Sequence, residues 1–195
     1  MILLLAIIVG LVAGITRARI NGRKLVAPTL QFVWIVPLAF IPQFIVFQIP
    51  ATRVSFPDRW IPAALIGSQL LLLIFATVNF RQPGFWLLGA GLFLNFAVIT
   101  FNGGWMPISP ETVKRLAPNA PSGAWEVGRR LGVSKDKVLQ SSSTQLWLLS
   151  DRLILSGWFH YNAAFSIGDV MIAIGAIWFL WSLGGPNNPQ YLKGA

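Results

Sequence analysis

A chain of 195 residues that is 55% apolar and 11% charged, with a mean hydropathy of +0.66, is neither a disordered segment nor an ordinary soluble globule. Zero cysteines exclude disulfides, thiolate metal sites, iron–sulfur clusters and a cysteine nucleophile, and the one histidine excludes a multi-histidine metal centre, so no metal site is expected. Fifteen basic against six acidic residues, a net +9, would suggest nucleic acid in a soluble domain; in a chain this apolar, without a recognition motif, it points to loops facing anionic lipid and not to nucleic acid.

Five apolar blocks follow one another, each ended by charges or turn residues. The first runs from Met1 to about Thr16 and stops at Arg17, Arg19, Arg23 and Lys24; it lacks a basic start and a small-residue cleavage site, so it reads as a retained first helix. Gly10 and Gly14 in it form a GxxxG pair suited to close helix contact. The second, about Leu30 to Ile49, contains Pro37 and Pro42 and is expected to kink or break. The third, about Ile61 to Phe80, and the fourth, about Phe85 to Phe101, are joined by Arg81-Gln82-Pro83-Gly84, a connection short enough to make them an antiparallel hairpin. The fifth, about Phe165 to Leu183, ends at Gly184-Gly185-Pro186. The expected fold is an all-α, polytopic membrane helix bundle of about five spans, forming a single integral domain over 1–195. Residues 102–164 form an extramembrane, interfacial segment between the fourth and fifth spans.

In that segment Ser109-Pro110-Glu111 reads as N-cap, first helical proline and dipole-matched acid, so a short surface helix should follow. Lys114, Arg115, Arg129, Arg130, Lys135 and Lys137 alternate with Val127, Leu131 and Val138, and Trp105, Trp125, Trp147 and Trp158 punctuate the run. Such material suits the headgroup layer, with tryptophan as anchor and basic side chains against lipid phosphate. Lysine and arginine in the short loops favour the amino terminus outside and the carboxyl terminus in the cytoplasm, because Arg17, Arg19, Arg23, Lys24, Arg81 and Lys193 then share the inner face with no acid among them.

Among the acids, Asp151 and Asp169 stand beside or inside the start of the last span, where a carboxylate must be partnered or useful. Two carboxylates brought together share a proton and can act as general base and general acid on a water attacking an amide, which is aspartyl peptidase chemistry. The same residues also have structural readings. Ser166-Ile167-Gly168-Asp169 fits a capping box, and Asp151 has Arg152 next to it or a short helix to cap. Asn102, Gly103 and Gly104, followed by Trp105-Met106-Pro107, form either a rigid turn or one wall of a substrate-binding cleft over the two aspartates. Gln69, Asn79 and Asn95 are accounted for by hydrogen bonds between helices. No cofactor is expected; the one group able to ligate is His160, as a single axial bond to a haem or chlorophyll, against a plain hydrogen-bonded interfacial role beside Phe159 and Tyr161.

Asn79-Phe-Arg-Gln-Pro-Gly-Phe-Trp-Leu-Leu-Gly-Ala-Gly-Leu-Phe-Leu-Asn95, Asn102-Gly-Gly-Trp-Met-Pro107, Leu149-Ser-Asp151 and Phe165-Ser-Ile-Gly-Asp169, in that order, resemble the domain of unknown function family 5317, uncharacterised bacterial membrane proteins. The resemblance spans most of the chain and implies a fold rather than an activity. The carboxyl-terminal part, Asp151-Arg152, Gly157 and Phe165-Ser-Ile-Gly-Asp169 before an apolar helix, is also similar to lipoprotein signal peptidase (signal peptidase II), whose two catalytic aspartates would fall on Asp151 and Asp169. Against that likeness, this chain has five apolar blocks where the peptidase has four spans, with Ser166 and Gly168 in place of its asparagine and alanine. The expectation is a multi-pass protein of the bacterial cytoplasmic membrane, with lipids and other membrane subunits as partners. It would act as a non-enzymatic accessory or scaffolding subunit; the alternative is an outward-facing aspartyl peptidase using Asp151 and Asp169.

Overall fold

A computed structural model describes residues 2–26, 28–51, 56–155 and 162–185. The chain is mostly helical. Helix α1 covers Ile2–Ile20, α2 Ile35–Phe47, α3 Ile61–Val78 and α4 Phe85–Phe101. A short strand β1, Met106–Ile108, leads into helix α5, Pro110–Leu116; strands β2, Asp136–Val138, β3, Leu153–Leu155, and β4, Ala163–Phe165, precede the last helix, α6, Ile167–Ser182. Among the described residues two helical stretches, Ile2–Ile20 and Asp58–Val78, are long and apolar enough to cross a membrane; α2, α4 and α6 are shorter apolar helices of 13, 17 and 16 residues.

Every helix except α5 lies on an apolar block of the sequence, and the ends follow local chemistry. Gly84, at φ +79°, turns the chain into α4, while Ser166 caps α6 with the expected box: its Oγ accepts from the Asp169 N–H at 2.9 Å and the Asp169 carboxylate accepts from the Ser166 N–H at 3.0 Å. Helix α2 starts later than expected because Asn79 holds the preceding turn, accepting from the Gln31 N–H at 2.8 Å and donating to the Gln31 carbonyl at 3.0 Å. It also runs unbroken through Pro42; Pro37 sits in the first turn, where the missing N–H has no helical partner to lose.

Helix α6 packs between α1 and α4, and α3 joins α4 to α2. Glycines make the α6 contacts close. A Cβ on Gly175 would stand 2.6 Å from the Leu88 nitrogen and 2.7 Å from the Gly84 carbonyl oxygen, and one on Gly91 would stand 2.8 Å from the Ile172 nitrogen. The GxxxG pair works in the same way, since Gly10 and Gly14 face Ile177 and Leu180 across the α1–α6 contact. Large apolar side chains elsewhere on the helices point outward, among them Leu4, Trp34, Trp86 and Phe93, each more than half exposed.

The all-α expectation is corrected in the segment after α4. There β1 pairs in parallel with β2, Met106 opposite Asp136 and Ile108 opposite Val138, and β3 pairs antiparallel with β4. Strands of three residues are too short to show an alternating pattern, and the parallel pair joins residues 30 positions apart, so neither left a readable signal. Ile108, Val113 and Val138 form a small core with Leu116, Trp125 and Leu131, which makes this segment a folded cap rather than a chain lying loosely on a surface. The expected helix after Ser109 is present as α5, its first turn held by the Thr112 N–H donating to Ser109 Oγ at 3.2 Å. Trp105, expected as an interfacial anchor, is buried against Val46, Ile61 and Leu65.

Candidate functional site

The cap places one charge cluster against the end of the helix bundle. Strand β1 has β2 on one side and Asp151 on the other, where the Asp151 N–H donates to the Pro107 carbonyl at 3.0 Å. Lys135 and Asp136, at the start of β2, therefore lie beside Asp151, although 15 or more positions separate them in sequence. The Lys135 ammonium donates to Asp151 Oδ2 at 2.5 Å and to Asp136 Oδ1 at 2.9 Å. Asp151 is 1% exposed, and its Oδ1 has no hydrogen-bond partner among the described residues. Pairing with Arg152 was one structural reading of Asp151, beside capping a short helix; that guanidinium lies over the Trp147 ring, 4.2 Å from its centroid.

Asp169 is held from two sides. Its Oδ1 accepts from Asn95 Nδ2 at 2.8 Å and its Oδ2 from the Ser166 N–H, while Ser166 Oγ donates to Asn95 Oδ1 at 2.8 Å. Gly168 lets Asn95 come this close, because a Cβ there would overlap the Asn95 amide. Capping box and interhelical bond are thus one network joining α4 to the start of α6. Asn95 joins two helices as expected and Asn79 ties the end of α3 to the turn before α2, whereas Gln69 Oε1 is buried with no hydrogen-bond partner among the described residues.

Lys135, Asp169, Asn95, Gln69 and Gln43 line a cavity of about 310 Å³, closed by apolar groups including Ile2, Leu65, Ile99 and Phe165. It is large enough for several waters or a small ligand. The start of α1 and the segment after α4 therefore share one end of the bundle. Asp151 lies behind Lys135, and no hydrogen bond joins it to Asp169 among the described residues. One ammonium thus faces three carboxylates, Asp136, Asp151 and Asp169. Sequence reasoning missed Lys135 and Asp136 as members of this cluster. Lys135 looked like one more cation of a surface run, and only the parallel strand pair brings it inward.

Burial pushes the Asp151 carboxyl up, to about 7; the Lys135 ammonium opposes this, and the Asp136 and Asp169 carboxylates reinforce it. Burial alone would lower Lys135, but the three carboxylates outweigh it and hold the ammonium above the ordinary lysine range, so Lys135 stays charged while Asp151 titrates. A carboxyl with a raised folded-state pKa binds more protons folded than unfolded. Its contribution to stability therefore falls as pH rises from the unfolded value near about 4 through the folded one. The melting temperature should decline across that window, and Asp151→Asn should flatten the decline. An unchanged slope in the variant would contradict the assignment.

Asn102 is fully used in structure. Its Nδ2 donates to the Val98 and Gln145 carbonyls at 2.7 and 2.9 Å, and its Oδ1 accepts from the Gln145 N–H at 3.0 Å, which ties the end of α4 to the cap. Gly103 and Gly104 have φ of +69° and +84°, and a Cβ on Gly104 would overlap Pro62 at the start of α3. These three residues form the rigid turn, and none of them lines the cavity. His160 and Trp158 lie outside the described residues. Among the described residues no group of three or more His, Cys, Asp or Glu is placed to hold a metal ion.

Comparisons with curated proteins and with solved structures return no match, so the likeness to the signal peptidase rests on its short motif alone. A family model described as a family of unknown function (DUF5317) matches residues 28–181, most of the chain and all the cavity residues beyond α1, and the protein belongs to that family.

Proposed function

We propose that the protein is a non-enzymatic accessory or scaffolding subunit of a larger assembly in the bacterial cytoplasmic membrane. On this reading all five apolar helices span, the amino terminus and the cap face outward, and the carboxyl terminus is cytoplasmic. The observation that carries it is the use made of the two carboxylates. Asp169 is occupied by its capping box and Asn95, and Asp151 by Lys135, so each serves to join elements. Outward-pointing apolar side chains on every long helix supply the faces for lipid and for partner helices.

Extraction from native membranes in mild detergent should yield a particle well above the 21.5 kDa of the chain, with a second polypeptide in fixed stoichiometry. A particle containing this chain alone would contradict the accessory role. Protease added to intact spheroplasts should cut within residues 102–164; protection until the membrane is permeabilised would reverse the orientation.

The peptidase reading keeps one observation in its favour. Lys135 and Asp169 line a shared cavity at the end of the bundle, with the unpartnered Asp151 oxygen behind Lys135.

A further inference from the structure

A second concavity lies on the cap, away from the charge cluster. It is an open groove of about 800 Å³ between the start of α3 and the loop that leads into β2. Arg59, Arg129, Arg130 and Lys137 line it against one carboxylate, Asp58. Arg130 is fixed in place. Its Nε and Nη2 donate to the Ser134 and Val133 carbonyls, both at 2.8 Å, its Nη1 donates to Asp58 at 3.1 Å, and its side chain is only 9% exposed. That pairing takes up the groove's one carboxylate. Among the described residues Arg129 pairs with Glu126 alone, in a contact where both side chains are mostly exposed, so it can turn to another anion at little cost. Lys137 has no side-chain partner among the described residues, and the indole N–H of Trp105, a groove-lining residue, has none there either, although solvent reaches it. Cations left free beside one already paired carboxylate, with an accessible N–H donor among them, suit an anionic acceptor ligand.

We propose that this groove binds the phosphodiester of an anionic phospholipid headgroup. Lys137 and Arg129 would supply charge, the Trp105 N–H would donate to a phosphate oxygen, and Arg130 would hold the wall. A lipid fits better than a free phosphate because the groove opens at the start of α3, at the head of the apolar helical stretch Asp58–Val78, beside the exposed Trp60 and Arg59. Acyl chains can run along that helix while the headgroup sits in the groove. The proposal rests on membrane residence, and not on the accessory role or on which face is outward, so loss of either leaves it standing.

The test uses the full-length protein in detergent. Retention of phosphatidylglycerol would be titrated by native mass spectrometry, with diacylglycerol as the uncharged comparison and inorganic phosphate as the free competitor. Arg129→Gln/Lys137→Gln should weaken phosphatidylglycerol retention by about tenfold or more, the loss expected for charge-assisted hydrogen bonds. Trp105→Phe, which keeps an aromatic side chain but removes the indole N–H, should weaken it by a smaller factor. Lys114→Gln/Arg115→Gln, with the same charge loss on α5, should leave it unchanged, as should millimolar inorganic phosphate. Equal weakening by the two double variants would show diffuse charge attraction and overturn the site; displacement by inorganic phosphate would assign the groove to a free anion instead.

Discussion

Lys135→Met should destabilise the folded protein by about 1–2 kcal/mol at pH 8, below the range for removing one partner of a fully buried ion pair, because the Lys135 side chain is 39% exposed and Asp151 can take up a proton. The reason is what it leaves behind. Asp151, 1% exposed and already carrying an unpartnered Oδ1, would lose the one ammonium that offsets its burial, with Asp136 and Asp169 still close by. The loss should shrink as pH falls, because the carboxyl then takes up a proton and the uncompensated charge disappears. Lys135→Met/Asp151→Asn should recover most of the stability at pH 8. Chemical denaturation in detergent at two pH values would measure this, and a loss independent of pH and undiminished in the double variant would show that Lys135 acts through packing alone.

Gly175→Ala should cost about 3 kcal/mol, the upper part of the range for overpacking, although alanine is the better helix former. The new Cβ would stand 2.6 Å from the Leu88 nitrogen and 2.7 Å from the Gly84 carbonyl oxygen, and both are backbone atoms that cannot swing aside. Helices α4 and α6 would have to separate, and with them the Asn95–Asp169 bond at the mouth of the cavity. Gly67→Ala is the control: nothing lies within 4 Å of its Cβ position, so helix propensity alone should make it neutral or stabilising by up to about 1 kcal/mol. Comparable losses for the two substitutions would refute close α4–α6 contact as the cause.

The apolar helices were legible because long runs of one character leave few alternatives. Helix α4 starts and ends where its block does, at Phe85 and Phe101, between Gly84 and Asn102. The capping box at Ser166 and the N-cap at Ser109 were readable for the same local reason, since each needs only residues within one turn. The GxxxG pair of α1 was readable as a contact surface, though not its partner. Lys135 beside Asp151 was not readable: it depends on a parallel pairing between Met106–Ile108 and Asp136–Val138, strands too short to announce themselves. Trp105 and Arg130 show the same limit. Both looked like interfacial residues by type, and both are built into the cap by contacts from distant elements, Trp105 against Ile61 and Leu65 and Arg130 to Asp58 with its guanidinium over the Phe47 ring.

The proposed accessory role requires that Asp151 and Asp169 hold the fold together and do not carry out a reaction. It is tested most directly by comparing Asp169→Asn, Asp169→Ala and Asp151→Asn with the wild type in two assays, thermal melting in detergent and processing of membrane-anchored peptides. A cap works through acceptor oxygens, one of which asparagine keeps. Asp169→Asn should therefore retain most of the stability that Asp169→Ala loses, a difference of about 0.5–2 kcal/mol. No variant should differ from wild type in peptide processing. Cleavage by the wild type that vanishes in both asparagine variants at unchanged melting temperature would contradict the account and establish the two aspartates as a catalytic pair.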